Sequence, residues 1–394
     1  MKTTSKIIIV RDTLLYALDR TIFFTNEKAM LPVSAMFKFA TMEQSLCVSA
    51  FDGQTWIECT APCEVTGDEM PSFVINAKKI HSLIKLCPDP EIEITFRKKG
   101  ESNVAVFKCG RSKHEFPALA DDMPIATAMK DGFSFDVSGS DLHAIADTIT
   151  NLVDESEANK KVTGMGLAFQ YVDEAEAMFV WGGSGARLGG YKIPIRKPDG
   201  FKPFIVTKSV IKNMKDLVRG NETVEVLHNG HLCEIIGADV HIKTTLVDAT
   251  YPDVYGVLKQ LTGQQTVVSF SVGELRNAVD KLMLHTDMEQ FTARMSFEEK
   301  SARITIDNNF VAQNGEEEIP YSSAERNMPM ITGINLKNFK LLLRQSVSEI
   351  ITFSVLNFKA PMMITSAKEN KTIIFIFSPV VLQEQLEHPS AVQA

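Results

Sequence analysis

Three pairs of cationic side chains recur in this sequence at one spacing: Lys78 and Lys85, Lys208 and Lys215, Lys337 and Arg344. Each pair lies in a segment opening Ile-x-x-Lys, at 75–87, 205–219 and 334–345, and the first lysines are 130 and 129 residues apart. Ammonium and guanidinium groups hold phosphate or carboxylate oxygens without any cofactor. At about 100° per residue, Lys208, Lys212, Lys215 and Arg219 fall within about 60° of one another on a helix, as do Lys337, Lys340 and Arg344. Ile80, Leu83 and Ile84 lie on the far side of the first segment, as do Val210, Met214 and Leu217 in the second and Phe339, Leu342 and Leu343 in the third. Each segment therefore reads as an amphipathic helix with an apolar face to bury and a basic face to present. Together the three hold ten bases and one acid, Asp216, a net +9 in a chain of net −8, so the remainder carries −17. A solvated surface normally mixes signs. Positive charge gathered on three equivalent elements of an acidic protein points to a polyanion met from one side.

No set of residues supplies a nucleophile, a base and an orienting group. The glycine-rich run Trp181–Gly190 contains Ser184 but no Gly-Lys-Ser/Thr, and a strand (191–195) follows where a phosphate loop needs a helix N-terminus. It reads as a β-turn. Asp154, Glu155 and Glu157 read as a solvated helix end. Cys59 and Cys63 have a ligand-like spacing that no second pair answers, and His228-x-x-His231 stands alone in a strand and turn. Five of the six cysteines fall in the first third, so no even framework staples the chain. Cys47 and Cys109 read as small core residues. No enzyme activity, metal or cofactor is expected.

The elements that would position the bases repeat as well. Each third of the chain reads as a strand, a helix, about three strands, the basic helix, and three to four strands. The first helices are expected at 11–24, capped by Asp12, at 140–153, capped by Ser140, and at 274–286. Two helices on an antiparallel sheet form an α+β unit. Short polar links at 121–131 and 259–265 suit units docked side by side. With 394 residues, an apolar fraction of 44% and a charged fraction of 23%, the chain has the composition of a soluble globular protein. No apolar run is long enough to span a bilayer, and the first residues lack a signal-peptide core, so the expected location is cytoplasmic with no membrane partner.

Several local matches carry a resemblance. Cys109-Gly-Arg-Ser-Lys-His-Glu-Phe116, followed by the Pro-containing exit 117–124, is similar to the Ser-Gly-Arg-Ser strand of the β subunit of bacterial DNA polymerase III, the DNA sliding clamp family. Gly164-Met-Gly-Leu167 and Gly185-Ala-Arg-Leu188 resemble that family's Asn-Gly-x-x-Phe strand and Thr-Asp-Gly-x-Arg-Leu turn. Leu246-Val-Asp-Ala-Thr-Tyr-Pro-Asp253 resembles its Leu-Val-Asp-Gly-x-Phe-Pro-Asp. The resemblance runs over about residues 6–382, resting on the order and spacing of the matches.

The resemblance implies an α+β fold of three repeated clamp domains, 1–129, 130–262 and 263–382, with a flexible tail at 383–394. Two chains would join head to tail as a homodimeric closed ring around duplex DNA. Bases on the lining helices and nearby loops would meet phosphates: Lys28, Lys78, Lys79, Lys85, Lys160, Lys161, Lys208, Lys212, Lys215, Arg219, Arg276, Lys281, Lys337, Lys340 and Arg344. A pocket for a short peptide, carried by the replicative DNA polymerase, the clamp loader and other clamp-binding-motif proteins, would use Val162, Gly185, Arg187, Leu188, Pro252, Val257, Asn335, Ser378, Pro379, Val380 and Leu382. Ring closure would set Arg111, Lys113, His114 and Phe116 of one copy against Met283, Leu284 and the acidic run Glu316, Glu317 and Glu318 of the other. The sequence departs from the family pattern at Gly183-Ser184 (Thr-Asp), at Gly256 (a base) and at Ser378–Leu382, which a twelve-residue extension follows. The implied role is that of a non-catalytic processivity factor in DNA replication. The alternative is a DNA-binding module of a replication or repair complex that does not encircle its substrate.

Overall fold

The computed structural model of the chain describes residues 6–67, 70–99, 102–124, 129, 131–157, 162–261, 266–286, 291–308, 313–326, 329–369 and 371–382. The tail 383–394, Lys160, Lys161 and parts of both expected links lie outside them. Eight α-helices occur among the described residues: α1 Arg11–Thr21, α2 Ala77–Leu86, α3 Gly139–Asp147, α4 Lys208–Lys212, α5 Met214–Leu217, α6 Val254–Gln260, α7 Val272–Leu282 and α8 Leu336–Arg344. The strands form four antiparallel sheets. Contacts group the chain into two units, 1–142 with 213–246, and 143–212 with 247–394.

The first unit holds a five-stranded and a nine-stranded sheet. The nine-stranded sheet does not stop where the sequence repeat does. Strand Thr55–Pro62 pairs with Val240–Thr245, from Thr55↔Thr244 to Val240↔Cys59, and the Thr55 and Thr244 hydroxyls meet at 2.9 Å. The second unit is built alike, with a nine-stranded and a four-stranded sheet. Its larger sheet is joined by Arg187–Ile193 pairing with Lys371–Phe377. Each large sheet thus crosses one of the repeat boundaries expected from the sequence.

The Ile-x-x-Lys signature marks a strand-to-helix corner. In two of the three copies the isoleucine ends a strand and the next residue, Asn76 or Asn335, caps the helix. Its side chain accepts the backbone N–H of Lys79 or Asn338, at 3.0 Å in both cases. Such a cap stabilises a helix by about 1 kcal/mol. Apolar faces then bury as expected: Ala77, Ile80 and Ile84 of α2, and Leu336, Phe339, Leu342 and Leu343 of α8. The middle copy differs, because Asn213 interrupts it between α4 and α5 with φ −91° and ψ 3°. That break removes the single continuous stripe expected for Lys208 to Arg219.

The first helix of each repeat is shorter than expected, α1, α3 and α7 each passing into a 3-10 turn. Asp12 is no cap. Val10 occupies that position without a side-chain bond, while Ser138 rather than Ser140 accepts the Asp141 N–H. The first and third repeats also share a cross-brace. Arg11 donates to the carbonyls of Ile84 and Lys85 at the end of α2, and Arg276 donates twice to the Leu343 carbonyl at the end of α8, at 2.6 and 3.2 Å. Those carbonyls carry the negative pole of the helix.

The glycine run folds as a hairpin of Ala177–Gly183 and Arg187–Ile193. Gly190 lies under the fully buried Trp181, where any Cβ would collide with the indole ring. Cys109, expected only as core filler, is buried and bonded to Cys87, because the end of α2 and the end of strand Ser102–Cys109 meet there.

Candidate nucleic-acid interface and peptide pocket

In the first unit the exposed bases of α2 are Lys78, Lys79 and Lys85. Lys78 lies 3.4 Å from Glu27, and Lys85 lies 3.4 Å from Asp19, whose carboxylate also contacts His81 at 2.6 Å. Lys28 is exposed on the loop after α1, and Lys215 is exposed on α5. Arg219 is 3.2 Å from Asp239, which accepts the Tyr16 hydroxyl at 2.7 Å. Burial, then the hydrogen bond to Asp239, raises the Tyr16 pKa.

In the second unit Lys212, Lys337 and Arg344 are exposed, and the Lys337 ammonium sits 5.4 Å from the Phe291 ring centroid. Lys340 pairs with Asp280 at 2.6 Å and Lys281 with Glu317 at 3.0 Å. Lys208 donates to the Val153 carbonyl at 2.9 Å. Exposed ion pairs are worth about 0–1 kcal/mol, so a phosphate can take Lys78, Lys85 or Lys281 from its carboxylate at little cost. Arg276 is differently placed. Its double bond to the end of α8 gives it a structural task that the sequence reading did not foresee.

The pocket gathers on the second unit, with a cavity of about 450 Å³. Val162, Leu188, Pro252 and Val257 form apolar wall, with Gly185, Arg187 and Ser378 beside them. Four further lining residues were not singled out for the pocket: Thr163, Ser184, Val254 and Ile376. Val254 and Val257 stand on α6, a helix the sequence reading omitted. Its signal was Pro252-Asp253, for Asp253 caps it by accepting the Gly256 N–H at 2.9 Å. Ser184, examined as a nucleophile, is 5% exposed in the hairpin turn, its N–H bonded to the Arg187 carbonyl. Arg187 Nη1 donates to Asn338 Oδ1 on α8 at 2.5 Å. Pro379, Val380 and Leu382 are not among the residues lining the cavity, nor is Asn335, whose side chain is engaged as the α8 cap. Val380 instead forms a β-bridge with Gly333.

Two strands are sheet edges. Ser112–Pro117 borders the five-stranded sheet, with Arg111, Lys113 and His114 exposed and Phe116 half-buried. Gln313–Pro320 borders the four-stranded sheet. Its acids alternate in side, Glu316 and Glu318 reaching Arg303 at 2.7 and 3.8 Å while Glu317 faces Lys281. Beyond α7, Met283 is half-buried and Leu284 is 77% exposed.

Other candidate chemistry does not assemble. His228 is buried against Phe133 while His231 is exposed, and burial lowers the His228 pKa to about 4. Among the described residues no group of three or more His, Cys, Asp or Glu is placed to hold a metal, and no helix is long and apolar enough to cross a membrane.

Residues 5–127 match the family model described as DNA polymerase III beta subunit, N-terminal domain. Solved structures extend the likeness to nearly the whole chain. The β subunit from Streptococcus pyogenes superposes with a TM-score of 0.85 at 17% identity, covering 96% of this chain and 100% of its own. The fold is that of a bacterial sliding clamp. The sliding clamp from Pseudomonas aeruginosa gives 0.84 at 16% identity, and the β subunit from Thermotoga maritima 0.82 at 19%, with the same coverage of both chains. A search of curated proteins returned no match.

Proposed function

We propose that two copies of this chain close into a ring around duplex DNA and tether a replicative polymerase to it without catalysing any reaction. The observation that carries the reading is the recurrence of exposed bases on α2, α4, α5 and α8 within the sliding-clamp fold of an acidic protein. Contacts from lysine to phosphate ignore base sequence, which suits a protein that must move along DNA. The family match at 5–127 supports the same reading. The three repeats 1–129, 130–262 and 263–382 are then the ring's domains, and the cavity beside Arg187 is where a partner peptide docks. The polymerase, a loader and other proteins with such a peptide would compete for it.

Edge strands Ser112–Pro117 and Gln313–Pro320 supply unpaired backbone for closure, because an open edge is a template for another strand. Arg111 and Lys113 complement Glu316 and Glu318, and a patch meeting a different patch on the next copy closes when the rotation permits.

The deciding experiment loads the protein on nicked circular DNA and then linearises it. Retention on the circle and rapid loss from the linear form are expected, and equal loss from both overturns the encircling reading. A non-encircling module would bind both alike.

A further inference from the structure

The cavity on the second unit is apolar except at one point. Val162, Leu188, Pro252, Val254, Val257 and Ile376 supply hydrocarbon, and Arg187 is the only charged side chain among the described residues lining it. No carboxylate lines the cavity to neutralise that charge. The guanidinium is held in place rather than left to wander, since Nη1 donates to Asn338 Oδ1 at 2.5 Å and Asn338 sits in the first turn of capped helix α8. A fixed guanidinium at an apolar wall favours a planar anion, and the favour grows as water is excluded. Beside it, Thr163 Oγ1 is buried with no hydrogen-bond partner among the described residues.

Resting on the peptide-pocket reading above, we infer that the occupant is a peptide with a side-chain carboxylate next to its apolar anchors, selected by Arg187 with Asn338 as its positioning residue. A side chain fits better than a chain terminus. Terminal carboxylates are captured by clustered backbone N–H groups, and here the turn amide of Ser184 is already bonded to the Arg187 carbonyl. The apolar walls supply affinity for any hydrophobic segment, and Arg187 supplies discrimination among such segments.

The test uses the full chain and fluorescein-labelled nonapeptides, amidated at the C-terminus, with two leucines flanking a central Asp, Asn or Lys. Fluorescence anisotropy should rank Asp about tenfold tighter than Asn, and Lys weakest, with the Asp advantage shrinking as salt rises. In Arg187→Gln the Asp and Asn peptides should bind alike, close to the wild-type value for Asn. Arg187→Lys should retain part of the preference, and Asn338→Ala should narrow it without changing Asn-peptide affinity, a result that a merely structural role would not give. Circular dichroism checks that each variant folds. Equal affinity for Asp and Asn in the wild type, or a preference surviving Arg187→Gln, overturns the inference. So does an Asn peptide with a free C-terminal carboxylate binding as tightly as the amidated Asp peptide. If replacing both leucines with alanine leaves binding unchanged, the pocket reading itself fails, which is a separate result.

Discussion

His228 shows how one buried side chain sets a condition on the whole fold. Its ring lies in the core against Phe133, and burial holds its pKa at about 4 in the folded state. The unfolded value is about 6.5. A base whose pKa is depressed by folding contributes stability that is complete above the unfolded pKa and is lost as pH falls toward the folded one. Between pH 7 and pH 5 this group alone should cost about 2 kcal/mol. His228→Phe should flatten that part of the pH dependence, as read from urea midpoints at the two pH values. A slope no different from wild type would mean that the imidazole protonates in place. At this scale the sequence was partly legible. The lysines were visible as a spacing, but not which of them stand alone. Lys340 bonds to Asp280, sixty residues earlier, and no local pattern announces a partner on another helix. The exposed Lys212 and Lys337 are therefore the sharper probes of phosphate contact. Their joint reversal to glutamate should accelerate loss from circular DNA at least tenfold at moderate salt while leaving the thermal midpoint within about 2 °C. Unchanged residence would remove α4 and α8 from the DNA contact.

At the scale of elements, capping explains both what was readable and what was not. The Ile-Asn corners at 75–76 and 334–335 encode strand, cap and helix within a few residues, so α2 and α8 could be placed from sequence. The end of α8 depends on Arg276, which reaches it from α7. Arg276→Ala should destabilise the second unit by about 1.5–3 kcal/mol, the range for hydrogen bonds to a charged group. Amide exchange would show the effect first in the last turn of α8. Protection unchanged at 341–344 would refute the brace. α6 was missed because its seven residues contain few strong helix formers, and its one local signal is the Asp253 cap after Pro252. The interruption at Asn213 was hidden for the opposite reason: the lysine spacing fitted an unbroken helix, and the backbone there does not follow it.

For the whole molecule, the period of about 130 residues revealed the repeat but not the sheets. A strand's partner can lie anywhere in the chain, and Thr55–Pro62 finds its own about 180 residues later. Composition revealed the charge division, because an acidic chain with basic helices must separate its signs in space. Closure of two copies makes its own demand on Leu284, 77% exposed. Leu284→Asp should convert a dimer to monomers in sedimentation equilibrium at micromolar concentration while leaving the folded monomer as stable as before. A dimer that tolerates the aspartate would rule out this apolar contact.

The seams between repeats set how the chain can be cut. A fragment ending at residue 129 would keep strand Thr55–Pro62 and lose the strand that covers its outer edge, exposing a row of amide and carbonyl groups eight residues long. A fragment beginning near 263 would strip Lys371–Phe377 of its neighbour in the same way. Such edges pair with whatever strand they meet. Single repeats expressed alone should therefore clump, while pieces that keep both strands of a seam should stay dispersed.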